Sequence, residues 1–240
     1  MAMTLSKPDY VIFDMDGTTV RHVNPVLLSV LEFLDSALYA ASRLFYRTRA
    51  VEDFSDDPAK PQGLLVHRML HKLRRKEVGQ IVQPCPGIFL LLNLFRQHGV
   101  PMGIASNGLG TGYGHDILMT FGLADYFEVE IFREDIQVSK PHPDALLRAM
   151  KGFTKPPAAG DVVWYIGDRH KDIIAALEAE KLSSCHVVPF SYGINAAIAV
   201  LKNNVGTENI IVSYPDFFSR IKGLFNDVLK RPANENSDAA

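Results

Sequence analysis

The chain reads as an α/β protein with a Rossmann-like, doubly wound, mostly parallel sheet and an inserted α-helical cap domain. Three observations carry that expectation. Short β-rich runs alternate with helical patterns along most of the 240 residues, the order that builds strand–helix–strand units. The strand-like runs are continuously apolar rather than alternating, as strands buried on both faces are. One long stretch near the N-terminus carries helical spacing only.

The first strand is YVIF, residues 10–13. After it, from Asn24 to about Gln80, no strand pattern occurs. Val26, Leu27, Val30, Leu31, Leu34, Leu38 and the pair Leu44 and Phe45 recur at helical spacing, and Pro25 suits a first turn. The breaker-rich SDDPAKPQG at 55–63 separates these from a second helix at about 64–78. QPCPG at 83–87 looks like the hinge back into the core. The expected domains are therefore 1–20 and 85–230 for the core, 21–84 for a cap over the strand ends, and 231–240 for a disordered polar tail. The plainer alternative is that the inserted helices pack on one face of the sheet. Further strands are expected at 101–105, 129–132, 162–166, 186–189 and 210–212. Helices are expected at 87–98, 113–121, 143–150, 171–180 and 215–229.

Composition narrows the function. With 47% hydrophobic and 22% charged residues and a formal net charge of −2, the chain lacks the basic footprint of a nucleic-acid binder. The basic run HKLRRK at 71–76 reads as a solvated helix face. Cys85 and Cys185 form neither a disulfide framework nor a metal-binding cluster, so reduced, buried thiols in a cytoplasmic protein are expected. No signal peptide is read at the N-terminus. The apolar stretch 88–95 is broken by Asn93 and falls far short of a membrane span.

Four polar clusters follow apolar runs or precede helices: Asp14-Met15-Asp16-Gly17-Thr18, Ser106-Asn107-Gly108, Lys140 in SKPHPD, and Gly167-Asp168-Arg169-His170-Lys171-Asp172. One carboxylate at a strand end is ordinarily a helix cap, but four clusters at strand ends ask for another account. Asp14 and Asp16 bring like charges together, which repel unless something else shares the site. Converging carboxylates suit a hard divalent cation, and oxygen-only ligation suits Mg²⁺. A lysine, a hydroxyl and N–H groups at helix starts suit a phosphoryl group. A cation beside an anion pocket is an arrangement for phosphoryl transfer.

In that order, DMDGT, the S-N after an apolar strand, the K-P before a helix and GDxxxD resemble the four motifs of the haloacid dehalogenase-like phosphohydrolases. The likeness runs from Tyr10 to at least Asp172. The inserted helices resemble that family's class I cap, and the P-x-P-G return resembles its phosphoglycolate phosphatase and β-phosphoglucomutase branch. The resemblance implies that Asp14 is the nucleophile and Asp16 the acid and base. It places Gly17, Thr18, Ser106, Asn107 and Lys140 at the phosphate, and Asp14, Asp16 (through its backbone carbonyl), Asp168 and Asp172 at Mg²⁺, with Asp172 orienting Asp168 or a bound water. A small phosphorylated metabolite is the implied substrate, and a monomer or homodimer the implied assembly.

Two positions depart from the family pattern. Arg21 stands where relatives carry an acid, free either to meet an anionic substrate or to pair with a cap carboxylate. Arg169 stands where a small hydroxyl residue is common. Asp16 argues against the phosphonoacetaldehyde hydrolase and dehalogenase relatives, which lack the second aspartate. A phosphosugar mutase would use the same two aspartates and stays open. A receiver module places its acid pair differently, and a membrane ATPase needs spans that are absent. His22, His115, His142 and His170 are expected at the surface or behind the site rather than on metal, and Trp164 in the core. GLGTGYGHD, 108–116, reads as the lead-in to a helix rather than a dinucleotide loop. Arg47, Arg49, Arg74 and Arg75 would grip an acidic substrate or simply be solvated.

Overall fold

Six parallel strands form the main sheet of the computed structural model, which describes residues 5–23, 78 and 82–225. They are β1 (Tyr10–Phe13), β4 (Met102–Ala105), β5 (Val129–Ile131), β6 (Val162–Gly167), β7 (His186–Tyr192) and β8 (Ile210–Ile211). Their order across the sheet is β5-β4-β1-β6-β7-β8. β1 therefore lies between β4 and β6, and the order reverses beside it, which is where ligands gather in such sheets. Register is fixed by pairs such as Phe13 with Ile104 and Phe13 with Ile166.

Alternate residues of β1 serve opposite layers, as the period of two requires. Val11 and Phe13 join the cluster packed by helices α1 (Ile88–Gln97), α2 (Thr111–Thr120) and α6 (Tyr214–Ile221). Tyr10 and Ile12 join the cluster under α3 (Asp144–Gly152) and α4 (His170–Leu182). The first layer is aromatic. Trp164 lies 4.6 Å from Phe190 and 6.2 Å from Phe95 between ring centroids, as the expected core tryptophan. The second is built from small residues: Ala145, Ala149, Ala175, Ala176 and Ala179 are fully buried there, so α3 and α4 lie close to the strands. Helix α5 (Ile194–Lys202) buries Ala196, Ala199 and Val200 against Ile173 of α4.

Two features of the main sheet and its helices differ from the sequence expectation. Helix α5 lies in a stretch for which no helix was read. β7 continues past residue 189 to Tyr192, through Pro189. β8 joins β7 only at Ser191 and Tyr192, so Pro189 removes no N–H that the sheet needs there. Its carbonyl accepts from Asn209 Nδ2 at 2.8 Å.

β2 (Val20–His22) and β3 (Val82–Pro84) pair antiparallel as a separate two-stranded ribbon. Its base is tied to the core where Cys85 N–H donates to the Thr19 carbonyl at 2.9 Å. The expected cap, 21–84, begins and ends in this ribbon. Its remainder at 24–77 and 79–81, with Arg47, Arg49, Arg74, Arg75 and the HKLRRK run, lies outside the described residues, as do the tail at 231–240 and the last part of the helix expected at 215–229. Among the described residues no helix is long and apolar enough to cross a membrane. Both cysteines are buried and unpaired by a disulfide.

Candidate active site

The central strand delivers Asp14 into the sheet's carboxyl edge, where the Asp14 N–H still donates to Ile166 O at 2.8 Å. The residue is 6% exposed. The chain must then turn at once to leave the sheet. Thr19 N–H donates to Met15 O at 3.0 Å and Thr19 Oγ1 to Asp14 O at 2.8 Å, closing that turn. Gly17 has φ +88°, and a Cβ there would stand 2.2 Å from Asp168 Oδ2. Only glycine lets the loop run this close to the fourth cluster in that conformation.

Lys140 arrives from the loop before α3 and is 5% exposed. Its ammonium pairs with Asp14 Oδ1 and with Asp172 Oδ1 at 2.8 Å. It also donates to the Tyr165 hydroxyl at 2.9 Å and to Ala105 O at 3.2 Å. Burial alone would lower the Lys140 pKa, but Asp14, Tyr165 and Asp172 together hold it well above its ordinary value, so the cation is retained. Asp14 is pushed well up, chiefly by burial, and Asp172 and Asp168 add to the rise against the lowering effect of Lys140. Asp168 is raised to about 6, first by burial and then by Asp172, with Arg169 and Lys140 opposing.

One ammonium thus faces three carboxylates. One ligand oxygen from each of Asp14, Asp168 and Asp172 lies within 4.8 Å of the other two. Asp168 Oδ1 and Asp16 Oδ1 are buried without a hydrogen bond; His22 Nε2 approaches Asp16 Oδ1 only to 3.5 Å. Orphaned carboxylate oxygens beside a clustered acidic set fit a hard dication such as Mg²⁺, which would offset the rise at Asp14 and Asp168. Asp172 is differently placed. Its Oδ1 also accepts from Tyr165 OH at 3.0 Å and its Oδ2 from the Arg169 N–H at 3.0 Å. Both oxygens already have partners.

A cavity of about 150 Å³ opens over this group, lined by Asp14, Asp16, Ser106, Asn107, Gly108, Lys140, Arg169, Lys171 and Asp172. Ser106 Oγ accepts from Leu109 N–H at 3.3 Å, which leaves its own O–H to donate. Asn107 Nδ2 donates to Lys140 O at 3.5 Å and Asn107 Oδ1 has no partner. The fold therefore brings Asp14, Asp16, Ser106, Asn107, Lys140 and Asp172 to one cavity and sets Asp168 beside Asp14. It does not bring Thr18 there. Thr18 is fully buried, and its carbonyl accepts from Tyr214 OH at 2.8 Å, so it braces the loop from below.

The cap carboxylates expected to meet Arg21 lie outside the described residues. Arg21 crosses the ribbon to Gln83; with the Gln83 amide flipped, its oxygen accepts from Nε and Nη2 at 3.0 Å. His115 pairs with Glu130 at 3.1 Å on the surface, and the Gly-rich 108–116 run leads into α2 at Thr111. Tyr165 was missed. A tyrosine inside an apolar strand gives no sign of its hydroxyl's partners until the loops meet.

A sequence profile described as "Haloacid dehalogenase-like hydrolase" matches residues 11–183. A phosphoglycolate phosphatase of Escherichia coli is 29% identical over 190 residues, covering 77% of this chain, and one of Salmonella typhi is 30% identical over 189 residues, covering 76%. The matches span 66% and 64% of those relatives, just under two thirds of their length. Among solved structures, a HAD-superfamily hydrolase from Ehrlichia chaffeensis aligns with TM-score 0.58 at 21% identity, covering 93% of this chain and all of that one. A β-phosphoglucomutase from Clostridium difficile aligns with TM-score 0.59 at 18% identity, covering 94% and 100%. At those identities the likeness is one of fold.

Proposed function

The chain belongs to the haloacid dehalogenase-like hydrolase family, and from that premise we propose that it hydrolyses a small-molecule phosphate monoester through an aspartyl-phosphate on Asp14. The observation that carries the reading is the buried Lys140 ammonium held between Asp14 and Asp172 at the floor of the cavity. A carboxylate and a phosphate dianion repel; two unit charges about 4 Å apart oppose each other by about 4 kcal/mol at an effective dielectric near 20. A fixed ammonium on the attacking carboxylate offsets that term without reorganisation during the reaction.

Lys140 engages Oδ1 of Asp14, which leaves Oδ2 to attack phosphorus. As the ester oxygen departs with the bonding pair, Asp16 gives it a proton. Water then attacks the aspartyl-phosphate, Asp16 takes the water's proton, and phosphate leaves with Asp14 restored. Ser106 O–H and the Asn107 N–H hold the phosphoryl oxygens, and Gly17 keeps the two aspartates aimed at one point. Asp14, the Asp16 carbonyl and Asp168 would hold Mg²⁺, with Asp172 at the edge of that set; bound there, the ion supplies positive charge to the carboxylates and the phosphoryl oxygens. Asp172, with both oxygens engaged, serves chiefly to anchor Lys140. In this reading residues 21–84 are the cap, an assignment supported by the ribbon's position directly after the nucleophile loop.

A panel of phosphorylated metabolites with Mg²⁺ tests the proposal, phosphoglycolate and sugar phosphates included because relatives bear those names. Asp14→Asn should lower kcat on the order of 10³-fold. Asp16→Ala should slow alkyl phosphates more than p-nitrophenyl phosphate, whose leaving group needs no acid. Ester turnover untouched by Asp14→Asn rejects the mechanism. Interconversion of sugar phosphates without phosphate release makes the enzyme a mutase.

A further inference from the structure

The geometry points to Tyr165 as a positioning residue that fixes the Lys140 ammonium at Asp14 rather than at Asp172. The inference rests on the role given to Lys140 above and adds a residue to it. An ammonium has three protons to give, and four oxygens compete for them here: Asp14 Oδ1, Asp172 Oδ1, the Tyr165 hydroxyl and Ala105 O. Two of the four are carboxylates of equal formal charge. Nothing in charge alone decides which of them holds the cation.

The hydroxyl decides it. Ionised Asp172 can only accept, so the Tyr165 proton, 3.0 Å away, must go to Asp172 Oδ1. The hydroxyl oxygen then has only lone pairs left for Lys140, at 2.9 Å. One group therefore occupies part of the accepting capacity of Asp172 and offers the ammonium a neutral acceptor in exchange. Removing it returns Asp172 to full strength, and the ammonium moves toward Asp172 and away from Asp14. The tyrosine cannot drift from this place. It is fully buried, sits in β6 between Ile12 of β1 and Pro189 of β7, and its ring packs in the α3–α4 layer. A phenylalanine fills the same volume, so the hydroxyl's part is separable from packing.

The test compares Tyr165→Phe, Lys140→Gln and the double variant. Four quantities are read: kcat and KM on whichever ester the wild type turns over, the thermal midpoint, and the ¹⁵Nζ signal of Lys140 in metal-free protein. Tyr165→Phe should lower kcat about tenfold, which is about 1.4 kcal/mol of barrier, with KM changed less than kcat and the midpoint kept near the wild type. On the Lys140→Gln background the same substitution should do nothing further, because the hydroxyl acts only through the ammonium. The Lys140 signal should shift and exchange faster in the phenylalanine variant. Wild-type kcat in Tyr165→Phe, an additive loss in the double variant, or a rate loss that merely tracks a lowered midpoint each overturns the assignment. A wild type that turns over no ester sinks the phosphatase reading instead, and the ¹⁵Nζ comparison then decides Tyr165 alone: an unchanged signal overturns it, a shifted one upholds it.

Discussion

Asp168 gives the sharpest quantitative test, because its raised pKa is a statement about stability. In the unfolded chain the carboxyl titrates at its ordinary 3.8; in the metal-free native protein it titrates at about 6. Between those values the native state binds the proton and the unfolded state does not. Native stability is therefore fullest below pH 4 as far as this group is concerned, and is lost as pH rises through 6. The gap is a little over two pH units, or about 3 kcal/mol at roughly 1.36 kcal/mol per unit, a large part of a total that is ordinarily about 5–15 kcal/mol. The perturbation is Asp168→Asn, which removes the charge at almost constant shape. Urea unfolding in chelator should find the variant up to about 3 kcal/mol more stable than wild type at pH 7.5, with the difference shrinking toward pH 4. Mg²⁺ should reverse the order at pH 7.5, stabilising the wild type by mass action and the variant much less. A variant that is less stable than wild type in chelator at pH 7.5, or a difference that ignores pH, refutes the assignment of Asp168 as a strained, cation-seeking carboxylate.

Two further outcomes follow from the same loop and its neighbour. Gly17→Ala places a side chain at φ +88° and within 2.2 Å of Asp168 Oδ2; the left-handed backbone alone is unfavourable by about 1–2 kcal/mol, so a total loss of about 2–3 kcal/mol in urea unfolding, with a weaker rise of the thermal midpoint on adding Mg²⁺, is expected, and unchanged values of both would contradict the close approach. Cys85, whose thiol burial pushes up to about 12, should alkylate with iodoacetamide at pH 8 on the order of 10³-fold more slowly in the native protein than after unfolding; site-resolved mass spectrometry showing rates within tenfold of each other would disprove its buried, protonated state.

The sheet was legible because its strands are buried on both faces. YVIF, MGIA and VVWYIG leave no polar residue to place, and each is followed within two residues by a functional group or a turn. The ribbon was not legible. VRH and VQP are three-residue strands without period, and each has only one valine, Val20 and Val82, to bury in the core. Helix α5, INAAIAVLK, is apolar nearly all round, so no 3.6-residue stripe stands out from its neighbours. At the site, the motif residues announced themselves by type and place. What they do to one another did not. Thr18 reads as a hydroxyl beside the phosphate, yet it is fully buried and does not line the cavity. Asp172 reads as one more ligand, yet it is held by Lys140, Tyr165 and the start of α4. Such roles depend on contacts across the sheet, which no local pattern encodes.

The ion pair between Lys140 and Asp14 joins residues 126 positions apart. During synthesis from the N-terminus, Asp14 is made long before its counter-ion, and the Asp168 and Asp172 carboxylates come later still. A partly made chain therefore holds acids with no ammonium to balance them, and a chain that ends before β6 lacks the strand that carries Tyr165. Chemistry of this kind has no fractional form. The full set of groups around Lys140 therefore comes together only in a molecule whose β6 has already docked.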